Sequence, residues 1–421
     1  MEEKKDIYRK SRVLYIISAT LEYFISILTG TAYLAKIAGS IGISDGTIGV
    51  LGSFVALGCA FQIVSFAMRT DKAIKPRVVT INLINQLCFT LLYVVPAFNL
   101  PKNVKTLLFT ALLLAGNVLL NVPFSPKATW SRSLVNEKKR GIFSASCEIT
   151  SLISGMVFTM LTGRLIDTLE ANGKQTEAFT VCAIVLLVLT VSHALCLIFV
   201  REDKTQVTKN EPLGSKLKGA ITERATLLLI PFFVLWEASR YVTVPFFGTY
   251  QLNELSLSMT AVSLISVGYA LIRSLVSAPI GILGDKRSFV TSMSISLIAM
   301  TAGLIVNSFG GRVCHIIFYV LYAVTLAGMN SGIMNVIFDY VPKKKRTGAV
   351  SILYTIGGLV GFGSTLAAKP LVDYVQKSGN RFLFLNHVYA QQILSVIGAI
   401  LALSALIYLN TVIKGLKKVE Y

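Results

Sequence analysis

Five ionisable side chains stand inside long apolar stretches of this sequence: Glu22, Glu148, Glu237, Arg240 and Arg273. A charge deep in hydrocarbon costs roughly 3 kcal/mol or more, so each needs a partner, a wet cavity or a task. Glu22 shares a helical face with Ser18, Ser26, Thr29 and Tyr33, a polar stripe expected to line a cavity. Glu237 precedes Arg240 by three residues and shares a face with it and with Tyr241, near enough on a helix to pair. That pair reads in two ways: as a structural ion pair that lowers its own insertion cost, or as one whose pairing changes while a solute passes. Arg273 suits an anionic solute or a partner carboxylate, Glu22 or Glu237. Glu148, with Ser144, Ser151 and Gly155 along its face, lies nearer the end of its stretch and suits a gate pair. The amides Asn117, Asn121, Asn330 and Asn335 join helices by hydrogen bonds, with Asn121 and Asn335 also placed to touch a solute. His193, His315 and His387 fall near the ends of apolar stretches or in loops, form no cluster and are given no proton role.

The elements that must position these groups follow from hydropathy. With 54% hydrophobic and only 14% charged residues, the 421-residue chain is too apolar for a water-facing surface, which needs about 25% charged residues. A helix needs roughly 20 apolar residues to cross a bilayer. Twelve stretches qualify: 13–37, 47–68, 77–98, 105–128, 142–166, 177–200, 226–250, 258–281, 288–308, 313–338, 348–371 and 388–411. They are unbroken and do not alternate over about ten residues as barrel strands do, so the expected fold is an all-α polytopic membrane protein. The first stretch lacks a small-residue cleavage site, so the first twelve residues are expected to remain.

An even number of crossings puts both termini on one side, and basic residues choose that side. Of the 40 Lys and Arg, 29 lie in the terminus-side segments, seven in the opposite loops and four within the crossings. Both termini are therefore expected in the cytoplasm, and the cell membrane is the expected location. The net charge of +19 is explained by orientation and not by nucleic acid. The six cysteines all fall in apolar stretches without paired spacing and read as buried thiols. The sequence carries no nucleotide-binding Gly-Lys-Ser/Thr loop, no His/Asp/Glu metal cluster and no nucleophile motif. Neither an enzyme nor a resident cofactor is expected.

The chain also repeats itself. VNEKKRG at 135–141 and VPKKKRT at 341–347 align at an offset of 206, pairing Arg140 with Arg346 and Asp167 with Asp373. Asn121 pairs with Asn335 at 214, and Glu22 falls one residue from Glu237 at that offset. The polar segment 201–225 then reads as a cytoplasmic linker between a first six-helix bundle, 1–200, and a second, 226–421. Within each half, an Asp-terminated mark recurs on alternating sides: AMRTDK at Ala67–Lys72, GRLID at 163–167, GILGDKR at 281–287 and KPLVD at 369–373.

In GILGDKR, Gly281, Asp285 and Lys286 match the signature loop of the major facilitator superfamily, which the chain resembles over essentially its full length. The first-half copy keeps Asp71, Lys72 and Lys75, with Ala67 in place of the glycine. The resemblance implies two pseudo-symmetric bundles rocking about a midplane site. Asp71, Lys72, Gly281, Asp285 and Lys286, with Glu148, Arg140 and Arg346, are then expected to gate the cytoplasmic end, and GILGDKR is expected to be a tight polar turn. The reading that follows is a secondary transporter, probed at Glu22, Glu237, Arg240, Arg273 and Tyr241, that moves a small polar or anionic solute. A proton is the expected coupling ion, and a monomer in the lipid bilayer the expected state. The same residues are compatible with drug or metabolite export, or with a sensor that binds without flux.

Overall fold

The computed structural model describes residues 7–67, 73–136, 140–202, 213–382 and 385–419. It contains twelve helical segments long and apolar enough to cross a membrane, here called spans 1 to 12. They run Arg9–Leu28, Asp45–Ser65, Lys75–Ala97, Lys102–Asn121, Ile142–Ala171, Gln175–Phe199, Arg224–Glu254, Met259–Lys286, Phe289–Ser308, Gly311–Tyr340, Lys343–Lys377 and Ala390–Gly415. Among the described residues the fold is all-α apart from one antiparallel pair of two-residue strands, Arg381–Phe382 with Leu385–Asn386.

Local chemistry starts and stops these helices. Ser44, Ser258 and Ser288 cap their helices by accepting from the backbone N–H of Thr47, Ala261 and Thr291. Spans 9 and 10 are joined across Gly310 and Gly311, at φ +78° and +85°, a left-handed turn that side-chain-bearing residues avoid.

Several helices break where a continuous stretch was expected. The first ends at Leu28 and restarts at Thr31–Ser40, so the 13–37 stretch is two helices. Span 4 ends at Asn121, and after Val122 and Pro123 the chain resumes as Phe124–Ser133, because proline has no N–H to continue the ladder. Span 7 is regular only to Tyr241, then passes through a 3₁₀ turn at Val244–Phe246 and a π-helical turn at Tyr250–Glu254.

The chain divides into two compact units: Met1–Ile41 with Phe61–Glu211, and Gly42–Ala60 with Pro212–Tyr421. In the first unit, the Tyr93 hydroxyl donates to the Leu28 carbonyl at 2.6 Å, joining spans 3 and 1, and Phe24 stacks on Phe158 of span 5 at 4.5 Å. In the second, a buried aromatic and methionine core includes Phe232, Trp236, Phe247, Met293, Met300 and Phe318. Residues 42–60 pack there against span 11, where Gly358 meets the backbone of Ala56 and Ala60. A Cβ at Gly358 would stand 2.5 Å from the Ala56 carbonyl oxygen, so only glycine allows this approach.

Candidate functional site

The first unit places Glu22 midway along span 1, where its carboxylate accepts from the Lys127 ammonium of the Phe124–Ser133 helix. Lys127, which basic-residue counting assigns to a loop, is therefore an interior residue reached because the chain continues as helix beyond Pro123. Nearby contacts tie span 1 and its continuation to span 5. Thr20 meets Ser151 at 3.4 Å, and the Tyr33 hydroxyl contacts Thr162 Oγ1 at 2.8 Å. The polar stripe of Glu22 and Tyr33 thus faces other helices at these points.

The amides of this unit act as joints between helices. Gln62 Nε2 donates to Asn121 Oδ1 at 2.9 Å, and Asn85 Nδ2 donates to the Gly116 carbonyl at 2.6 Å. Asn117 Nδ2 turns back to Leu113 within its own helix. His193, taken from sequence as a residue near a helix end, is fully buried in span 6, with Nδ1 at 2.9 Å from Gln86 Nε2 of span 3. His315 is also fully buried, with Nδ1 at 2.9 Å from Asn307 Oδ1. His387 is exposed.

The second unit builds its charged centre on one helix. Arg240 Nη2 donates to Glu237 Oε2 at 2.8 Å, three residues apart on span 7. The guanidinium lies 4.6 Å from the Tyr241 ring centroid and 5.7 Å from that of Trp236. Aromatic faces attract a cation by their quadrupole, so Arg240 is held by a carboxylate and two rings together. The side chains of Glu237 and Arg240 keep 14% and 23% of their surface accessible. A closed core would leave them none.

Two neighbouring helices shape this centre. Span 11 presents Gly357 to Glu237 and Gly361 to the Tyr241 ring; a Cβ at Gly361 would lie 2.7 Å from that ring. Span 8 contributes Arg273, half buried midway along the helix beside the Tyr269 hydroxyl. Tyr269 stacks on Tyr322 of span 10 at 6.0 Å. The expected partners of Arg273 are otherwise engaged, Glu22 by Lys127 and Glu237 by Arg240. The arrangement offers two guanidinium groups, one carboxylate and a tyrosine-rich wall.

Asn335 lies on span 10, as Tyr322 does, and donates to the Ser331 carbonyl of its own helix at 2.8 Å. Glu148 is exposed on span 5.

The expected gate residues have varied surroundings. Asp71 and Lys72 lie outside the described residues, as does the side chain of Arg140, whose backbone begins the span 5 helix. GILGDKR is not a tight turn. Span 8 stays helical through Lys286, because Gly284 is buried against the Phe289 ring and the chain reverses only at Arg287 and Ser288. Gly281 has open space around it, and Asp285 and Lys286 are exposed. Arg346 donates to the Val341 carbonyl at 3.0 Å and the Phe338 carbonyl at 2.7 Å. It covers the negative end of span 10, as a cation at a helix C-terminus should.

At the opposite end of the second unit, Asp45 accepts from Asn253 Nδ2 at 2.9 Å and from Gln376 Nε2 at 2.7 Å. This clasp joins the start of span 2 to spans 7 and 11. It was not foreseen, because its three members are spread over the whole sequence and none interrupts an apolar stretch.

The described residues include twelve helices of membrane-crossing length, with charged side chains in their interior. Over the chain the fold matches the nucleoside transporter NupG with a TM-score of 0.72, 12% identity, and coverage of 97% of this chain and 100% of that one. A bacterial homolog of the human lysosomal transporter Spinster, inward-facing and unoccupied, matches with a TM-score of 0.65 and 13% identity, covering 97% and 95%. A D-xylose–proton symporter matches with a TM-score of 0.61 and 11% identity, covering 93% and 96%. No curated protein sequence is significantly similar to the chain. The family model described as Major Facilitator Superfamily matches residues 233–416. Residues 233–416 are thus similar to the Major Facilitator Superfamily, and the whole chain has the fold of these solved transporters.

Proposed function

We propose that this protein is a secondary transporter that moves a small polar or anionic solute by alternating access and couples that movement to protons. Glu22 and Glu237 are the proton carriers in this reading, with Lys127, Arg240 and Arg273 as charge partners. The observation that carries it is the Glu237–Arg240 pair, intramembrane yet partly accessible and closed within a single helix. A solute carboxylate or phosphate that takes Arg240 displaces Glu237. A displaced carboxylate in a low-dielectric site costs several kcal/mol, which proton uptake removes. Anion binding and protonation therefore favour one another, and by linkage each raises the affinity for the other by the same factor. One proton then accompanies each singly charged anion, and the site keeps its net charge. Arg273 supplies a second positive charge for the same solute, and Tyr241 and Tyr269 supply apolar surface with polar tips.

The six-helix bundles at 1–200 and 226–421, with the linker at 201–225, are the moving bodies of this proposal. Both termini are cytoplasmic and the protein sits in the plasma membrane as a monomer. Asp71, Lys72, Gly281, Asp285, Lys286, Glu148, Arg140 and Arg346 form the cytoplasmic gate. Support comes from the basic-residue asymmetry and from the helix-end position of Arg346.

The test uses purified protein in liposomes loaded with a pH-sensitive dye. Small carboxylates and phosphates are supplied outside under an imposed pH gradient, and solute entry and internal acidification are followed together. Wild-type protein is expected to show both for at least one anion. Unchanged proton-driven uptake in Glu22→Gln and in Glu237→Gln removes these carboxylates from the mechanism.

A further inference from the structure

A groove of about 670 Å³ lies in the first unit, walled by the start of span 1, the end of the Phe124–Ser133 helix and the start of span 5. One part of its lining is polar and basic: Arg9, Arg12, Ser133 and Asn136. The other part is apolar: Val13, Ile16, Ile142 and Phe143. No carboxylate is among the described residues that line it. Arg12 is fixed across the groove by donating from Nη1 to the Leu134 carbonyl at 3.3 Å.

We propose that this groove is a binding site for an anionic phospholipid of the surrounding bilayer, with the phosphate on Arg9 and Arg12 and an acyl chain along Val13, Ile16, Ile142 and Phe143. The order of chemistry along span 1 favours a lipid over a soluble anion. Arg9 opens the helix, and Ile16 follows it by about 10 Å at 1.5 Å per residue. The interfacial layer outside the hydrocarbon core is about 5–8 Å thick on each side. Arginines at headgroup depth therefore put Val13 and Ile16 beside the upper acyl chain. Val13 is 52% exposed and Ile142 71% exposed, surface that an acyl chain covers and a free phosphate does not. Guanidinium groups hold phosphate oxygens through paired N–H donors, which sets headgroup charge as the recognised feature.

The test is native mass spectrometry of the full chain released from nanodiscs that contain equal phosphatidylglycerol and phosphatidylcholine. Two basic residues near a membrane surface imply a preference for the anionic lipid of about tenfold or more. Arg9→Gln with Arg12→Gln is expected to reduce retention to near equality. Arg224→Gln with Lys414→Gln, the same charge loss outside the groove, is expected to keep the preference. Ser146→Trp leaves both arginines in place and fills the groove beside Ile142 and Phe143, and it is expected to lower retention of phosphatidylglycerol. The proposal fails if the double arginine variant and the Ser146→Trp protein both retain phosphatidylglycerol as wild type does. It also fails if millimolar inorganic phosphate displaces the retained lipid, which would make this a soluble-anion site.

Discussion

Glu22 in the first unit finds its cation on another helix, Lys127, 105 residues further along the chain; Glu237 in the second finds its own on the same helix, three residues on. The first pair is a fastener. It joins span 1 to the continuation of span 4, and helix-to-helix contacts such as Thr20–Ser151 surround it. The second joins no two helices. Span 11 instead reaches span 7 through Gly357 and Gly361, so the packing there does not depend on the ion pair. An interior charge pair can thus be part of the frame or stand apart from it: in the proposed cycle a proton on Glu22 loosens the join between two helices, and a proton on Glu237 does not.

This contrast is broken most severely at Lys127. Lys127→Met leaves Glu22 in the membrane without its cation, and loss of one partner of a buried pair costs about 3 kcal/mol. A fall in thermal midpoint of about 6–12 °C is expected by light-scattering or dye-based unfolding, from the usual 2–4 °C per kcal/mol for a unit of this size. Adding Glu22→Leu to Lys127→Met is expected to recover much of that loss. A single variant as stable as wild type would show that the pair fastens nothing.

Gly361→Val comes next, because a Cβ there meets the Tyr241 ring at 2.7 Å and Ala56 Cβ at 3.1 Å. Overpacking of about 1–3 kcal/mol predicts a midpoint lower by about 2–12 °C. Glu237→Gln is expected to move the midpoint by less than about 3 °C, since Arg240 keeps the Trp236 and Tyr241 rings and the amide oxygen still accepts. A larger drop for Glu237→Gln than for Lys127→Met would reverse the comparison. The smallest effect on stability is expected for Asp285→Asn, exposed at the end of span 8, with no resolvable midpoint change. Its predicted signature is a changed balance of cysteine labelling from the two sides of the membrane, and unchanged labelling would leave it a surface residue of the last helical turn.

The twelve spans were legible because each carries about 20 apolar residues, a signal that local chemistry does not mask. The pairing of Glu237 with Arg240 was legible too, since helical spacing alone brings residues three apart together. Lys127 was not. It stands in PFSPKATW, where two prolines and a basic residue read as the end of a crossing, and no spacing rule links it to Glu22. The breaks at Thr29–Gly30 and Val242 went unread because hydropathy continues smoothly across them while the backbone does not. GILGDKR misled in the other direction: Gly, Asp and Lys suggest a turn, but Gly284 is there for close contact with Phe289. His193 and His315 were placed by their distance from helix ends, and burial among partners such as Gln86 and Asn307 depends on helices far apart in sequence.

The central claim is that an anionic solute displaces Glu237 from Arg240 and that a proton takes the arginine's place on Glu237. It is tested most directly by counting protons bound when a transported anion is added to purified protein in lightly buffered solution with a pH indicator. Wild-type protein is predicted to take up about one proton per site occupied, and Glu237→Gln to bind the same anion with no proton uptake. Equal proton uptake by the two proteins would contradict the account.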